Sequence, residues 1–101
     1  MVQYTLKGSE LYVQLDGELD HHSAVDVRTQ IDALIDRYPK ADNLRLNVGG
    51  LTFMDSSGIG VVIGRYKKMN ARGGKVTVDG ASGRVDTIFK MSGLYDIIKK
   101  A

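Results

Sequence analysis

The sequence has no cysteine, no tryptophan and a single proline. Without cysteine there is no disulfide framework, no thiolate nucleophile and no thiolate-ligated zinc, a composition compatible with a reducing, cytoplasmic compartment. One proline beside twelve glycines points to tight turns at helix ends rather than to a linker or a disordered tract. Long apolar runs are missing too: the longest are a few residues, far short of the roughly 20 needed to cross a bilayer, so no membrane partner is expected. The N-terminal MVQYTLKGSE lacks an apolar core of signal-peptide type, and the chain is expected to start as mature protein. Nor is there an excess of one charge. Fourteen basic and twelve acidic side chains leave +2, which argues against a DNA-binding domain carried by a strong basic field, and no direct nucleic-acid partner is expected. With 101 residues there is room for little more than one hydrophobic core, so residues 1–101 should form a single domain.

What is present is a regular succession of short segments. Tyr4 to Lys7 alternates, Gly8-Ser9 supplies a turn, and Leu11, Val13 and Leu15 then alternate with Tyr12, Gln14 and Asp16, the pattern of a hairpin with one buried face. From Ser23 to Tyr38 the period is helical, with Ala24, Val27, Ile31, Leu34, Ile35 and Tyr38 inside and Asp26, Arg28, Asp32 and Arg37 outside; Pro39 closes it. Leu44, Leu46 and Val48 predict a third strand, broken at Gly49-Gly50. A second helix carries Ile59, Val62, Ile63, Tyr66 and Met69 and ends at Gly73-Gly74. The β-branched run Val61-Val62-Ile63 conflicts with that assignment, and the length between flanking glycines decides for the helix. Val76 and Val78 predict a fourth strand. Ser82 is a candidate cap for a third helix with Val85, Ile88 and Phe89, ending at Ser92-Gly93, and Leu94 to Ile98 reads as a last strand. The order β-β-α-β-α-β-α-β predicts an α/β fold, a mixed four- to five-stranded sheet with helices packed against it.

The most informative segment is Phe53-Met54-Asp55-Ser56-Ser57-Gly58-Ile59-Gly60, which brings two hydroxyls to a helix start, where backbone N–H groups lack intrahelical partners. Its simplest reading is a helix cap, since Ser and Asp are among the best. The functional reading is a hydroxyl used as a phosphoacceptor, a nucleophile or part of an anion site. Nucleophilic catalysis is disfavoured, because the nucleophile elbow needs glycine two residues before the serine and Met54 and Asp55 stand there. Phosphate loops fail on counting: Gly58-Ile59-Gly60 has Ile63 where the third glycine of a dinucleotide fingerprint belongs, with no strand directly abutting it. Gly73-Gly74-Lys75 has Met69 at the first glycine of a Walker loop and Val76 at its hydroxyl. Asp20-His21-His22 invites a metal assignment, but adjacent histidines diverge on any regular element and no third ligand has suitable spacing, so no metal is expected. Asp16, Glu18 and Asp20 need be no more than a solvated strand face. The cluster Arg65, Lys67, Lys68, Arg72 and Lys75 reads as the exposed face and end of the second helix.

Taken together, Gly17-Glu18-Leu19-Asp20-His21-His22, Leu51-Thr52-Phe53-Met54-Asp55-Ser56-Ser57-Gly58-Ile59-Gly60, Gly64-Arg65-Tyr66-Lys67 and Phe89-Lys90-Met91-Ser92-Gly93-Leu94 resemble, in order and spacing, the bacterial anti-sigma factor antagonists of the STAS fold. The double histidine and the Asp-Ser-Ser-Gly are most similar to the sporulation branch, the anti-sigma F factor antagonists; the stress-response branch shares the core motif. The resemblance implies a partner switch. The first hydroxyl of Asp-Ser-Ser-Gly, here Ser56, would be phosphorylated by an anti-sigma factor that is also a serine kinase. The unmodified protein would bind that partner and free sigma, and a metal-dependent phosphatase of PP2C type would restore it. On this reading the chain is a cytoplasmic binding module and kinase substrate, not an enzyme, and needs no cofactor. Asp20 would contact or orient near the phosphoacceptor, and the partner would meet Asp20, His21, Asp55, Ser57, Gly58 and Ile59. The alternative is a stand-alone STAS module binding a nucleotide or other small anion at the same helix start. Members of the sporulation branch continue past the final strand into a C-terminal helix, whereas this sequence stops at Lys99-Lys100-Ala101, so the helix has been removed or is absent; if it is absent, apolar surface it would have covered is expected to favour self-association.

Overall fold

A computed structural model describes all residues, 1–101. The elements are β1 (Val2–Lys7), β2 (Glu10–Leu19), α1 (Ala24–Arg37), β3 (Asn43–Met54), α2 (Ser56–Ala71), β4 (Lys75–Asp79), α3 (Gly83–Met91) and β5 (Lys99–Lys100), with a single 3-10 turn at Leu94–Asp96 before β5. The five strands lie in the sheet in chain order, β1-β2-β3-β4-β5. β1 and β2 form an antiparallel hairpin through Gly8-Ser9, and every later pairing is parallel. No helix is long and apolar enough to cross a membrane.

That strand order dictates how the layers form. Each parallel strand is laid down on the same side of the one before it, and right-handed crossovers then carry all the connecting helices over one face. Alternation in the strands follows. Leu11, Val13 and Leu15 of β2, Leu44, Leu46 and Val48 of β3, and Val76 and Val78 of β4 are buried in one core with Val27, Ile31 and Ile35 of α1, Val61, Val62 and Met69 of α2, and Val85 and Phe89 of α3. The opposite face has no helix over it and is polar. There Asn47 Nδ2 donates to the Tyr12 hydroxyl at 2.8 Å, and Arg45 bridges Glu10 and Asp79 at 3.7 and 3.3 Å. Doubly covered parallel strands read as continuous apolar runs, which these do not.

Three sequence expectations are corrected. Gly49-Gly50 does not end the third strand: β3 continues to Met54, with register shifts against β2 between Gln14 and Asp16 and again between Gly17 and Glu18. The glycines absorb a bulge where β2 presses close, since a Cβ on Gly50 would lie 2.9 Å from Asp16 Oδ1 and 3.1 Å from Leu15 O. Leu94 to Ile98 is not a strand. Leu94 and Ile98 are both buried while Ile97 is exposed, and the Ile98 amide donates to Leu94 O at 3.0 Å; this is turn spacing, and the edge strand begins only at Lys99. The third correction concerns the basic cluster. Arg65 is buried at 6% exposure, with Nε 2.8 Å from Asp32 of α1. Arg72 turns three donors onto Ile35 O, Tyr38 O and Ala41 O at 2.8–3.0 Å, binding carbonyls in the last turn of α1 and the loop that follows it. Lys67 and Lys75 are exposed as expected.

The short β5 is held by one carboxylate. Asp86 of α3 accepts from the Tyr95 hydroxyl at 2.6 Å and from Lys100 Nζ at 2.9 Å, with Lys90 Nζ at 3.1 Å. The Tyr95 hydrogen bond first, then the two lysines, hold its carboxyl well below the usual carboxylate range. A carboxylate depressed in the folded state stabilises above its unfolded value and loses that contribution as pH falls through the folded one. Asp86→Asn is therefore expected to melt several degrees below the parent at pH 7, with the difference narrowing as pH drops below about 4. Thermal denaturation followed by circular dichroism at pH 7 and pH 3 checks this; a difference independent of pH would discount the charge.

Candidate functional site

β2 and β3 run parallel and finish side by side, with Leu19 opposite Met54. The residue after each strand is an aspartate. The Asp55 amide donates to Leu19 O at 3.3 Å, so the two turns are joined, and Asp20 and Asp55 stand at neighbouring strand ends on the carboxyl edge of the sheet.

The two aspartates organise their turns in the same way. Asp20 Oδ1 accepts from the amides of His22 (2.9 Å) and Ser23 (3.0 Å). Ser23 precedes α1, yet its hydroxyl turns back to donate to Glu18 O at 2.7 Å. The Ser23 amide is the main reason the Asp20 carboxyl sits below its ordinary value, with the His22 amide and the Ser23 hydroxyl adding to it. Asp55 is the cap of α2, and its Oδ1 accepts from the Ser57 amide at 2.8 Å; its carbonyl accepts from the Gly58 amide at 3.0 Å. Aspartate at this position also suits the positive end of the helix.

Because Asp55 does the capping, both serines are relieved of it. Neither Ser56 Oγ nor Ser57 Oγ makes a hydrogen bond; Ser56, the first residue of α2, is exposed, and Ser57 is half-buried. At this helix start, the alternative anion site of the sequence reading, the Ser57 and Gly58 amides are already engaged by Asp55. β3 also directly abuts this turn, one residue from α2, which removes the expected gap between strand and helix. His21 and His22 are exposed with their rings 5.8 Å apart at 65°, and no group of three or more His, Asp or Glu side chains is placed to hold a metal ion.

Two exposed apolar residues near these turns were not named as site residues from the sequence. Val25 and Phe53 are large apolar side chains 58% and 42% exposed, Val25 on the first turn of α1 and Phe53 next to the last residue of β3. The signal for Val25 was available: it is apolar but off the inner stripe of α1. Val25 also lines a cleft of about 230 Å³ between the N-terminal turns of α1 and α2, with Ala24, Arg28, Ser57, Gly60 and Val61.

Gly58 fixes the height of the helix start. It is buried, and a Cβ there would collide with Met54 Cγ and lie 2.9 Å from Met54 Sδ and 3.2 Å from Leu19 Cδ2. Only a residue without a side chain lets α2 settle onto the ends of β2 and β3. Ile59 is half-buried against the core on the same turn. Gly58→Ala is expected to cost about 1–3 kcal/mol and to shift the amide resonances of Leu19, Met54 and Ser56 together. Urea denaturation with heteronuclear NMR tests this, and unchanged stability with unmoved resonances would mean the helix start is not seated by that contact.

The STAS domain model matches residues 2–101. The chain is 44% identical over 88 residues to an anti-sigma F factor antagonist of Paenibacillus polymyxa, covering 87% of this chain and 74% of that protein. It is 31% identical over 90 residues to the anti-sigma-B factor antagonist of Bacillus subtilis, covering 89% and 80%. Among solved structures it is similar to the Bacillus cell fate determinant SpoIIAA in its phosphorylated form, at 30% identity and TM-score 0.76 with 100% of this chain and 91% of that one covered. The anti-sigma factor antagonist SpoIIAA in its unphosphorylated form matches at 26% identity and TM-score 0.76, with 100% and 87% covered.

Proposed function

The chain belongs to the STAS domain family, and we propose that within it this protein is an anti-sigma factor antagonist switched by phosphorylation of Ser56. The observation that carries the reading is the free, exposed Ser56 hydroxyl at the first turn of α2, flanked by Asp55 and close to the Asp20 turn. The relatives named as anti-sigma F factor antagonists favour the sporulation branch, and a similar fold exists in phosphorylated and unphosphorylated forms. In the unmodified state Asp20, His21, Asp55 and Ser57, with the half-buried Ile59 at the margin, form the surface that meets an anti-sigma factor with serine-kinase activity; Gly58, expected there from the sequence, is buried and seats the helix beneath it. A phosphatase of PP2C type would return the modified protein to that state, in the cytoplasm, and the chain itself catalyses nothing.

The mechanism is electrostatic. A phosphate adds about −1.5 to −2 charge at neutral pH and a bulky, strongly hydrated group where a small neutral hydroxyl stood. Two carboxylates already face the same edge, so the partner must then desolvate a local cluster of like charge, which weakens association without refolding either protein. The formal +2 of the chain falls to about zero, although the local change matters more than the total.

Ser56→Ala is expected to bind the anti-sigma factor in the presence of ATP as tightly as the unmodified protein does without turnover, and Ser56→Asp to bind at least about tenfold more weakly. Titration calorimetry measures both, and equal affinities would sink the switch. Incubation with the kinase and ATP should place one phosphate on Ser56 by mass spectrometry. Phosphate on Ser57 alone would overturn the site, and saturable nucleotide binding without transfer would favour an anion-binding module instead.

A further inference from the structure

Where a phosphate on Ser56 would find its counter-charge is not obvious from the helix start. The Ser57 and Gly58 amides are taken by Asp55, and the two nearest carboxylates, Asp20 and Asp55, repel an anion. The cation available to it stands on the other helix. Arg28 of α1 lines the same cleft as Ser57 and Gly60, is exposed, and makes no ion pair or hydrogen bond. Ser56 does not itself line the cleft, but it adjoins Ser57 and lies four residues before Gly60 on the first turn of α2, next to that lining.

The charges along the groove between α1 and α2 are unbalanced at this end. One turn further down, Asp32 pairs with the buried Arg65 at 2.8 Å, and Lys68 pairs with Asp36 at 2.9 Å. Asp32, four residues after Arg28 on the same helix, is thus committed to Arg65. Burial pushes the Arg65 guanidinium down from its ordinary value, Asp32 opposes this, and Arg28 adds to it. Arg28 and Arg65 therefore repel each other while the Asp32 carboxylate is taken by Arg65, with Lys68 at 3.9 Å, so an anion at the cleft would relieve the excess.

We propose that Arg28 is the counter-cation of phosphorylated Ser56, drawing the phosphate into the cleft between α1 and α2. The inference rests on Ser56 being the phosphoacceptor and deepens that reading. Arg28 does not act on the partner or on phosphoryl transfer. It positions the modification, covers the Ser57 and Gly60 surface with it, and favours the dianion near neutral pH, so the modified state carries its full charge.

The test uses the full chain with phosphoserine installed at position 56 during synthesis by an expanded genetic code, which makes it independent of any kinase. The second ionisation of phosphoserine, near pH 6 in peptides, is followed by ³¹P NMR. Asp20, Asp55 and the α2 helix dipole act on it in every variant, as do His21 and His22 from the preceding turn. Arg28→Ala is expected to raise that midpoint by about half a pH unit, and Arg28→Lys to recover most of the shift. Arg37→Ala, at the far end of α1 roughly 13 Å away along the axis, removes the same charge and should leave the midpoint in place. A midpoint unmoved by Arg28→Ala, or moved equally by Arg37→Ala, overturns the proposal. Failure of a kinase to label Ser56 would instead remove the functional reading and leave this electrostatic result standing.

Discussion

One-sided burial of the sheet is the constraint from which the rest of the molecule follows. After the hairpin, each parallel strand is added beyond the previous one, and right-handed connections leave the helices no choice of face. Three consequences reach the site. α1 and α2 become neighbours, with a groove between them. Their first turns both start at the edge where β2 and β3 finish. The residues that follow those strands, Asp20 and Asp55, are consequently brought to one place although 35 positions separate them in the chain. The other face of the sheet needs no apolar cover, because Glu10, Tyr12, Asn43, Arg45, Asn47 and Asp79 bond to one another across the strands.

The start of α2 meets two demands that usually conflict. A helix N-terminus packed against strand ends wants its amides satisfied and its backbone close to the sheet, while a modifiable hydroxyl wants to be free and accessible. Asp55 satisfies amides and Gly58 permits the approach, which leaves Ser56 with neither task. Had a serine been the cap, its oxygen would be tied to the amide of the first turn. The separation of capping, seating and presentation among adjacent residues is why the Asp-Ser-Ser-Gly order carries more meaning than its composition.

Much of this was legible in the sequence, and the failures have physical causes. Alternation in β2 and β4 and the helical stripe of α1 marked the buried faces because burial there is continuous. The conflict at Val61-Val62-Ile63 resolved toward the helix, since Val61 and Val62 both enter the core. Gly49-Gly50 misled because a bulge and a strand end look alike in one dimension; only the proximity of β2 tells them apart. Leu94 and Ile98 misled because two apolar residues four apart fit a turn as well as a strand. Arg65 was hidden for a different reason: its partner, Asp32, is on another helix, and a long charged side chain announces its burial only through the carboxylate it meets. Arg28 was likewise visible only as an outer-face residue of α1 until the α2 start was laid beside it.

The net charge of the chain is a poor guide to the site for a related reason. Glu18, Asp20, Asp55 and Asp79 end or follow strands β2, β3 and β4 at the carboxyl edge of the sheet, whereas Lys7, Lys40 and Lys75 lie at the opposite edge, there outnumbering Glu10 and Asp42. The sum of +2 averages two ends of opposite character. At physiological ionic strength a charge is felt over about 8 Å, and the longest dimension of the molecule is 33 Å. On the proposed switch, a partner at the carboxyl edge would respond to Asp20, Asp55 and a phosphate on Ser56, tempered by Arg28, and hardly at all to the lysines at the far end. A switch built on one modified hydroxyl needs only this local contrast. The close seating of α2 by Gly58 fits such a switch, because a phosphate on a helix start packed against the strand ends would not be carried away from an approaching interface.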